Sequence, residues 1–143
     1  MPAGDALASL WRGSRATRAL AGALVLWQAL SVLSFFPTFL PYVNELVPDR
    51  KLTYRIFADS NIDWGQARRD AMDWVVAERR KGRDVWMDPD RPVAGTIVVS
   101  ANAVLGVIGH DRERFAWLRD KTPVGHVAYA YLVFEVRPDE LPK

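Results

Sequence analysis

The sequence predicts a single N-terminal transmembrane helix plus a small α/β domain, built as a three- or four-stranded sheet with packed helices. Two observations predict it. Residues 19–44 carry no charged side chain over a length that suits a bilayer span, and from residue 52 onward strand-like and helix-like hydrophobic periods alternate. Length sets the bound: 143 residues, half of them hydrophobic, suit one modest core rather than two.

The first element is the anchor. In ALAGALVLWQALSVLSFFPTFLPYVN only Gln28, two serines, one threonine and the final Asn are polar. At about 1.5 Å per residue, the part before Pro37 already approaches the roughly 30 Å of a hydrocarbon core. Pro37 and Pro41, with Phe35, Phe36, Phe39 and Tyr42, mark the far interface. Arg12, Arg15 and Arg18 precede the span, while Glu45, Asp49, Arg50 and Lys51 after it nearly cancel, so the positive-inside bias leaves the N-terminus in the cytoplasm. The predicted organisation is a cytoplasmic arm at 1–18, a transmembrane helix at 19–43 and an extracytoplasmic α/β domain at 44–143. The chain is thus expected in the inner (cytoplasmic) membrane, single-pass, with its domain periplasmic or extracellular. A cleavable signal peptide is the competing reading; the long apolar stretch, the long region before it and the lack of a small-x-small site oppose it.

The domain then unfolds in order. Residues 46–51 form a polar joint, and 52–58 alternate Leu52, Tyr54, Ile56 and Ala58 as a strand. Asp63 and Gln66 read as a capping box opening a helix whose apolar face runs through Trp64, Ala67, Ala71, Trp74, Val75 and Ala77, stopped by Gly82. Residues 85–87 suit a short strand before Pro89, and the β-branched run 93–100 a buried one, with Ser100, Ala101 and Asn102 turning into a further helix. Residues 111–120 read as a short helix with Phe115 and Leu118 inward, and 124–136 as one long closing strand with Tyr129, Tyr131, Val133 and Glu135 on a face.

Charge and motifs narrow the function classes. The pI near 9.1 comes from the arm, where three Arg face one Asp; residues 45–143 hold 16 cationic and 16 anionic side chains. A nucleic-acid binder needs its excess charge on the folded domain, so nucleic acid is not an expected partner. There is no cysteine, and no HExxH, Walker-type or GxGxxG pattern, so no metal and no cofactor is expected. Only His110 and His126 offer imidazole, and each reads as a surface or edge residue.

One segment stands out: FADSNIDWGQ at 57–66, with PYVNEL at 41–46 upstream. It resembles the final membrane span and extracytoplasmic C-terminal domain of bacterial phospholipid-carrier-dependent glycosyltransferases, relatives of the dolichyl-phosphate-mannose protein mannosyltransferases, in which a DSN-x-DWGQ segment follows a YFNEL-like stretch. The resemblance covers about residues 35–136, including the VSAN turn at 99–102, the FAWL run at 115–118 and the closing aromatic strand. In that family the catalytic acid lies in an early extracytoplasmic loop, to which nothing here corresponds. Val47-Pro48-Asp49 also replaces the family's Gly-Gly-Pro.

The resemblance therefore implies a noncatalytic accessory or glycan-contacting module, with no catalytic residue assigned. Asp59, Ser60, Asn61, Asp63, Trp64, Gln66 and Asn102 are its candidate ligand-binding residues, the polar groups for sugar hydroxyls and the indole for stacking. The competing reading makes Asp63 and Gln66 helix caps, Asp59 and Asn61 turn formers and Trp64 core. A calcium loop fits positions one, three and five at Asp59, Asn61 and Asp63, then fails at Trp64 and Asp70. Expected partners are membrane lipid, an integral membrane protein, and a glycan or lipid-linked sugar. The alternative function is a structural subunit of a larger membrane complex, with Ala19, Ala21, Gly22 and Ala23 allowing close helix approach.

Overall fold

The computed structural model describes residues 4–5, 8, 12–37, 39, 47, 49–56, 62–108 and 111–142. The chain divides into two compact units, Met1–Asn44 and Glu45–Lys143.

In the first unit, α1 (Arg15–Leu33) is capped by Ser14, whose Oγ accepts from the Thr17 amide at 3.3 Å. Leu20, Leu24, Leu26, Trp27, Leu30 and Leu33 are all exposed around it. Apolar side chains on every side are the mark of a helix that water does not surround. Its 19 residues and mean hydropathy of 1.4 suit a membrane span or a signal sequence. The helix begins at Arg15, ahead of the expected 19, and ends at Leu33; residues 38 and 40–43 of the span expected at 19–43 lie outside the described residues. Pro37 explains the early stop: it disfavours a helical residue before it, and residues 34–37 form turns closed by bonds such as Ser34 N–H to Leu30 O at 2.9 Å.

The second unit is a four-stranded mixed sheet with helices packed on it. Its strands are β1 (Val85–Met87), β2 (Gly95–Ser100), β3 (Gly125–Val127) and β4 (Tyr131–Val136). They lie in the order β1-β2-β4-β3, with β1 parallel to β2 and the other pairs antiparallel. Ile97, Val98 and Val99 of β2 and Tyr131 to Phe134 of β4 are buried, so both central strands are covered on both faces. That explains the unbroken apolar runs read as buried strand.

Of the strand expected at 52–58, residues 52–56 are not extended, and 57–58 lie outside the described residues. Residues Arg50–Arg55 form a 3-10 helix capped by Asp49, whose carboxylate accepts from the Lys51 amide at 3.2 Å. Neighbours Thr53 and Tyr54 are buried together while Ile56 is exposed, which a period of two forbids. Arg55 donates to the Tyr54 hydroxyl at 3.2 Å and to Lys121 O at 3.2 Å, tying the turn to the far side of the domain.

Helix α2 (Arg68–Arg80) buries Ala71, Val75 and Glu78. Ala67 precedes them on the same line, whereas Trp64 and Ala77, expected on that face, are exposed. Glu78 is tolerated because Lys81 Nζ lies 2.7 Å from Oε1 and Arg83 Nε 2.6 Å from Oε2. The Lys81 hydrogen bond, reinforced by Arg83 against the cost of burial, holds its carboxyl below the usual 4.5. Gly82, at φ 79°, ends the helix as its position implied. Arg79 then donates twice to Val85 O, at 3.0 and 2.6 Å, pinning β1 to α2.

The long closing strand is a hairpin instead. Ala128 and Tyr129 adopt φ 49° and 59°, and Ala130 N–H reaches Val127 O at 3.1 Å, so the chain reverses between β3 and β4. Neither residue is a usual turn former, and the sequence pattern gives no warning. His126 stacks on Tyr129 with ring centroids 4.3 Å apart, and its Nδ1 accepts from the Tyr129 amide at 3.3 Å. The short helix expected at 111–120 contracts to a 3-10 turn, Ala116–Leu118, with Phe115 and Leu118 buried as read.

Burial, with Arg50 beside it, lowers the His126 pKa below its ordinary 6.5. A depressed imidazole pKa contributes stability above 6.5, and that contribution is lost as pH falls through 6.5 toward the folded-state value. The thermal midpoint is thus expected to drop between about pH 7 and 5.5, and His126→Phe to flatten that slope, by calorimetry of the two proteins. Identical slopes would refute it.

Candidate binding cleft

The carboxyl ends of β1 and β2 meet the start of β4 at one end of the sheet. Cross-strand pairing sets Ser100 against Tyr131. Asp88, one residue past β1, donates its amide to Val98 O at 3.0 Å and stands at φ 45°, so its side chain joins the same end. The amino end of α2 brings Arg68, whose Nη1 lies 3.9 Å from Asp88 Oδ2. Open α/β sheets commonly carry ligands at this end.

Between these elements lie two adjoining cavities. One, of about 480 Å³, is lined by Asp63, Trp64, Gly65, Arg68, Ser100, Ile108 and Tyr131. The other, of about 510 Å³, adds Asp88, Asp111 and Arg114 while sharing Arg68, Ser100, Ile108 and Tyr131. Each is within the size range of small-molecule sites.

The loop before α2 is built by its own side chains. Asp63 Oδ1 accepts from the amides of Gly65 at 2.9 Å and Ala67 at 3.3 Å. Gln66 Oε1 accepts from Trp64 N–H at 2.7 Å, and its Nε2 donates to Ile62 O at 3.4 Å. The Asp63 bonds go to Gly65 and Ala67 rather than to Gln66, so the expected capping box becomes a turn closed before the helix starts. The loop lifts Trp64 out: its side chain is 77% exposed, which overturns the reading of Trp64 as core. Asn102 is buried in α3 (Ala101–Val104) and donates to Asp63 O at 3.3 Å, holding the loop rather than facing the cleft. Of the other expected ligand-binding residues, Asp63 and Trp64 line the cavity and Gln66 serves the loop. Asp59, Ser60 and Asn61 lie outside the described residues, as does His110.

Four residues that sequence reading passed over complete the cleft: Arg68, Asp88, Ser100 and Tyr131. Burial raises the Asp88 carboxyl above its usual value, with Arg68 opposing. Burial also raises the Tyr131 hydroxyl, and the carboxylates of Asp88 and Asp63 push it further. Ser100 is only 5% exposed and its Oγ has no hydrogen-bond partner among the described residues. A buried hydroxyl left unmatched costs about 1–3 kcal/mol, so its retention beside a cavity has a reason to be sought there. Arg114 is already engaged, donating to the backbone carbonyls of Asp88 and Pro89 and to the Asp90 carboxylate at 2.8 Å.

Compared with known protein families, characterised proteins and solved structures, the chain matches none.

Proposed function

We propose that this chain is a single-span membrane protein whose α/β domain, delivered to the outer side of the inner membrane, contacts a glycan or a lipid-linked sugar as a noncatalytic accessory module. The reading joins the resemblance of the 57–66 segment to lipid-carrier glycosyltransferase C-terminal domains with the chemistry of the cleft. The observation that carries it is the exposed Trp64 indole at a cavity whose other walls include Asp63, Arg68, Ser100 and Tyr131. Sugars present apolar C–H faces and rings of hydroxyls; an indole takes the first and paired acceptors and donors take the second. Arg12 before α1, with Arg15 and Arg18 in its first turn, supports the cytoplasmic placement of the N-terminus.

Trp64→Ala is the test. In full-length protein held in lipid nanodiscs, glycan-array binding should weaken about tenfold, equivalent to about 1.4 kcal/mol. The thermal midpoint should stay put, because an exposed side chain contributes within about 0.5 kcal/mol. Unchanged binding by the variant, or no binding by the parent, defeats the proposal. A second reading, a structural subunit of a membrane complex, draws support from α1, where a Cβ on Gly22 meets nothing within 4 Å and Ala19 and Ala23 are exposed. It is favoured if a stoichiometric complex survives mild detergent and the sugar array stays blank.

A further inference from the structure

The two cavities share four lining residues, so they form one cleft with two chambers. Trp64 and Asp63 belong to the outer chamber, Asp88, Asp111 and Arg114 to the inner, and Ser100, Arg68, Tyr131 and Ile108 to both. The charges restrict what fits. Asp63, Asp88 and Asp111 oppose a simple anion, while Arg68 opposes a simple cation, and Arg114 is spent on Asp90 and two carbonyls. A neutral ligand bearing both donors and acceptors is what such a wall matches. Apolar surface is present as well, since Ile108 is 47% exposed beside the cleft. Ser100 lines both chambers, and its Oγ is buried with no hydrogen-bond partner among the described residues.

Resting on the glycan reading above, we propose that the ligand is an oligosaccharide of at least two units, one stacked at Trp64 and the next seated in the inner chamber with a hydroxyl on Ser100 Oγ. Asp88 accepts from a second hydroxyl of that inner unit, and Arg68, between the chambers, donates to an oxygen of either. The inner seat is a subsite separate from the Asp63–Gln66 loop that the sequence motif marks. A sugar hydroxyl there supplies the hydrogen bond that Ser100 lacks, and that gain exists only when the inner unit is present.

The experiment titrates the full-length protein in nanodiscs with gluco-, manno- and N-acetylglucosamine oligosaccharides of one to four units, by calorimetry. Affinity should rise about tenfold from one unit to two. Ser100→Ala and Asp88→Asn should each erase most of that step, so that two units bind the variants little more tightly than one. Ser100→Ala removes an unmatched buried hydroxyl, so its thermal midpoint should equal or exceed the parent's, which separates a binding loss from misfolding. Length-independent affinity that still depends on Trp64, or a length step untouched by Ser100→Ala, overturns the second subsite and leaves the glycan reading standing. No affinity for any of these sugars overturns both.

Discussion

Phe134→Ala should cost about 3–5 kcal/mol and leave much of the α/β domain unfolded under mild denaturant. Phe134 sits at the middle of β4, 1% exposed, paired across the sheet with Ile97. It shares a core with Val85, Leu118, Val98 and Leu132. Domains of this size have only about 5–15 kcal/mol in hand, so the change removes a large fraction. Urea unfolding of the full-length protein in detergent, followed by tryptophan fluorescence, should show a lower midpoint at unchanged slope. A loss under about 1 kcal/mol would mean that β4 is not the central strand.

Gly106→Ala is the second large effect, expected at about 2–4 kcal/mol. Gly106 stands at φ 71°, and a Cβ there would lie 2.6 Å from Arg112 O and 2.8 Å from Arg119 Nη2. The first neighbour is backbone and cannot swing aside. The second belongs to a side chain fastened at both ends, with Nε donating to Val104 O at 2.8 Å and Nη2 to Arg112 O at 2.8 Å. Relief requires moving the residues that bring Ile108, Asp111 and Arg114 to the cleft, so sugar affinity should fall along with stability. Gly82→Ala is the control: it shares a positive φ of 79° but meets nothing within 4 Å, so only the backbone penalty of about 1 kcal/mol applies. Equal losses at the two glycines would show that the close approach at Gly106 is illusory.

What could be read in advance divides along physical lines. β2 was legible because Ile97, Val98 and Val99 are consecutive and β-branched, and Gly82 because only glycine ends a helix there without strain. The β3–β4 hairpin was not, since Ala128 and Tyr129 take a conformation that tertiary contacts impose and propensity opposes. The start of the span at 52–58 misled because so short an alternation describes a 3-10 turn as well as a strand. For the site, Asp63 and Trp64 were legible from one contiguous motif. Asp88, Ser100 and Tyr131 come from three separate strand ends, and only the register of Ser100 on Tyr131 and of Met87 on Val98 brings them together. One trace was present: Ser100, second in the VSAN turn, is a small hydroxyl that ends an apolar run without a helix-capping bond to explain it.

The flanks of the sheet matter for crowding. β1 and β3 are each three residues long, so each offers a free border of only about 10 Å, against about 20 Å for the strands they shield. A neighbour's extended segment would find two or three amides to grip before the border gives out, too few to nucleate lateral growth. Copies of this domain can therefore collide often without zipping into fibrils, and lengthening β1 at Asp88 would remove that safeguard.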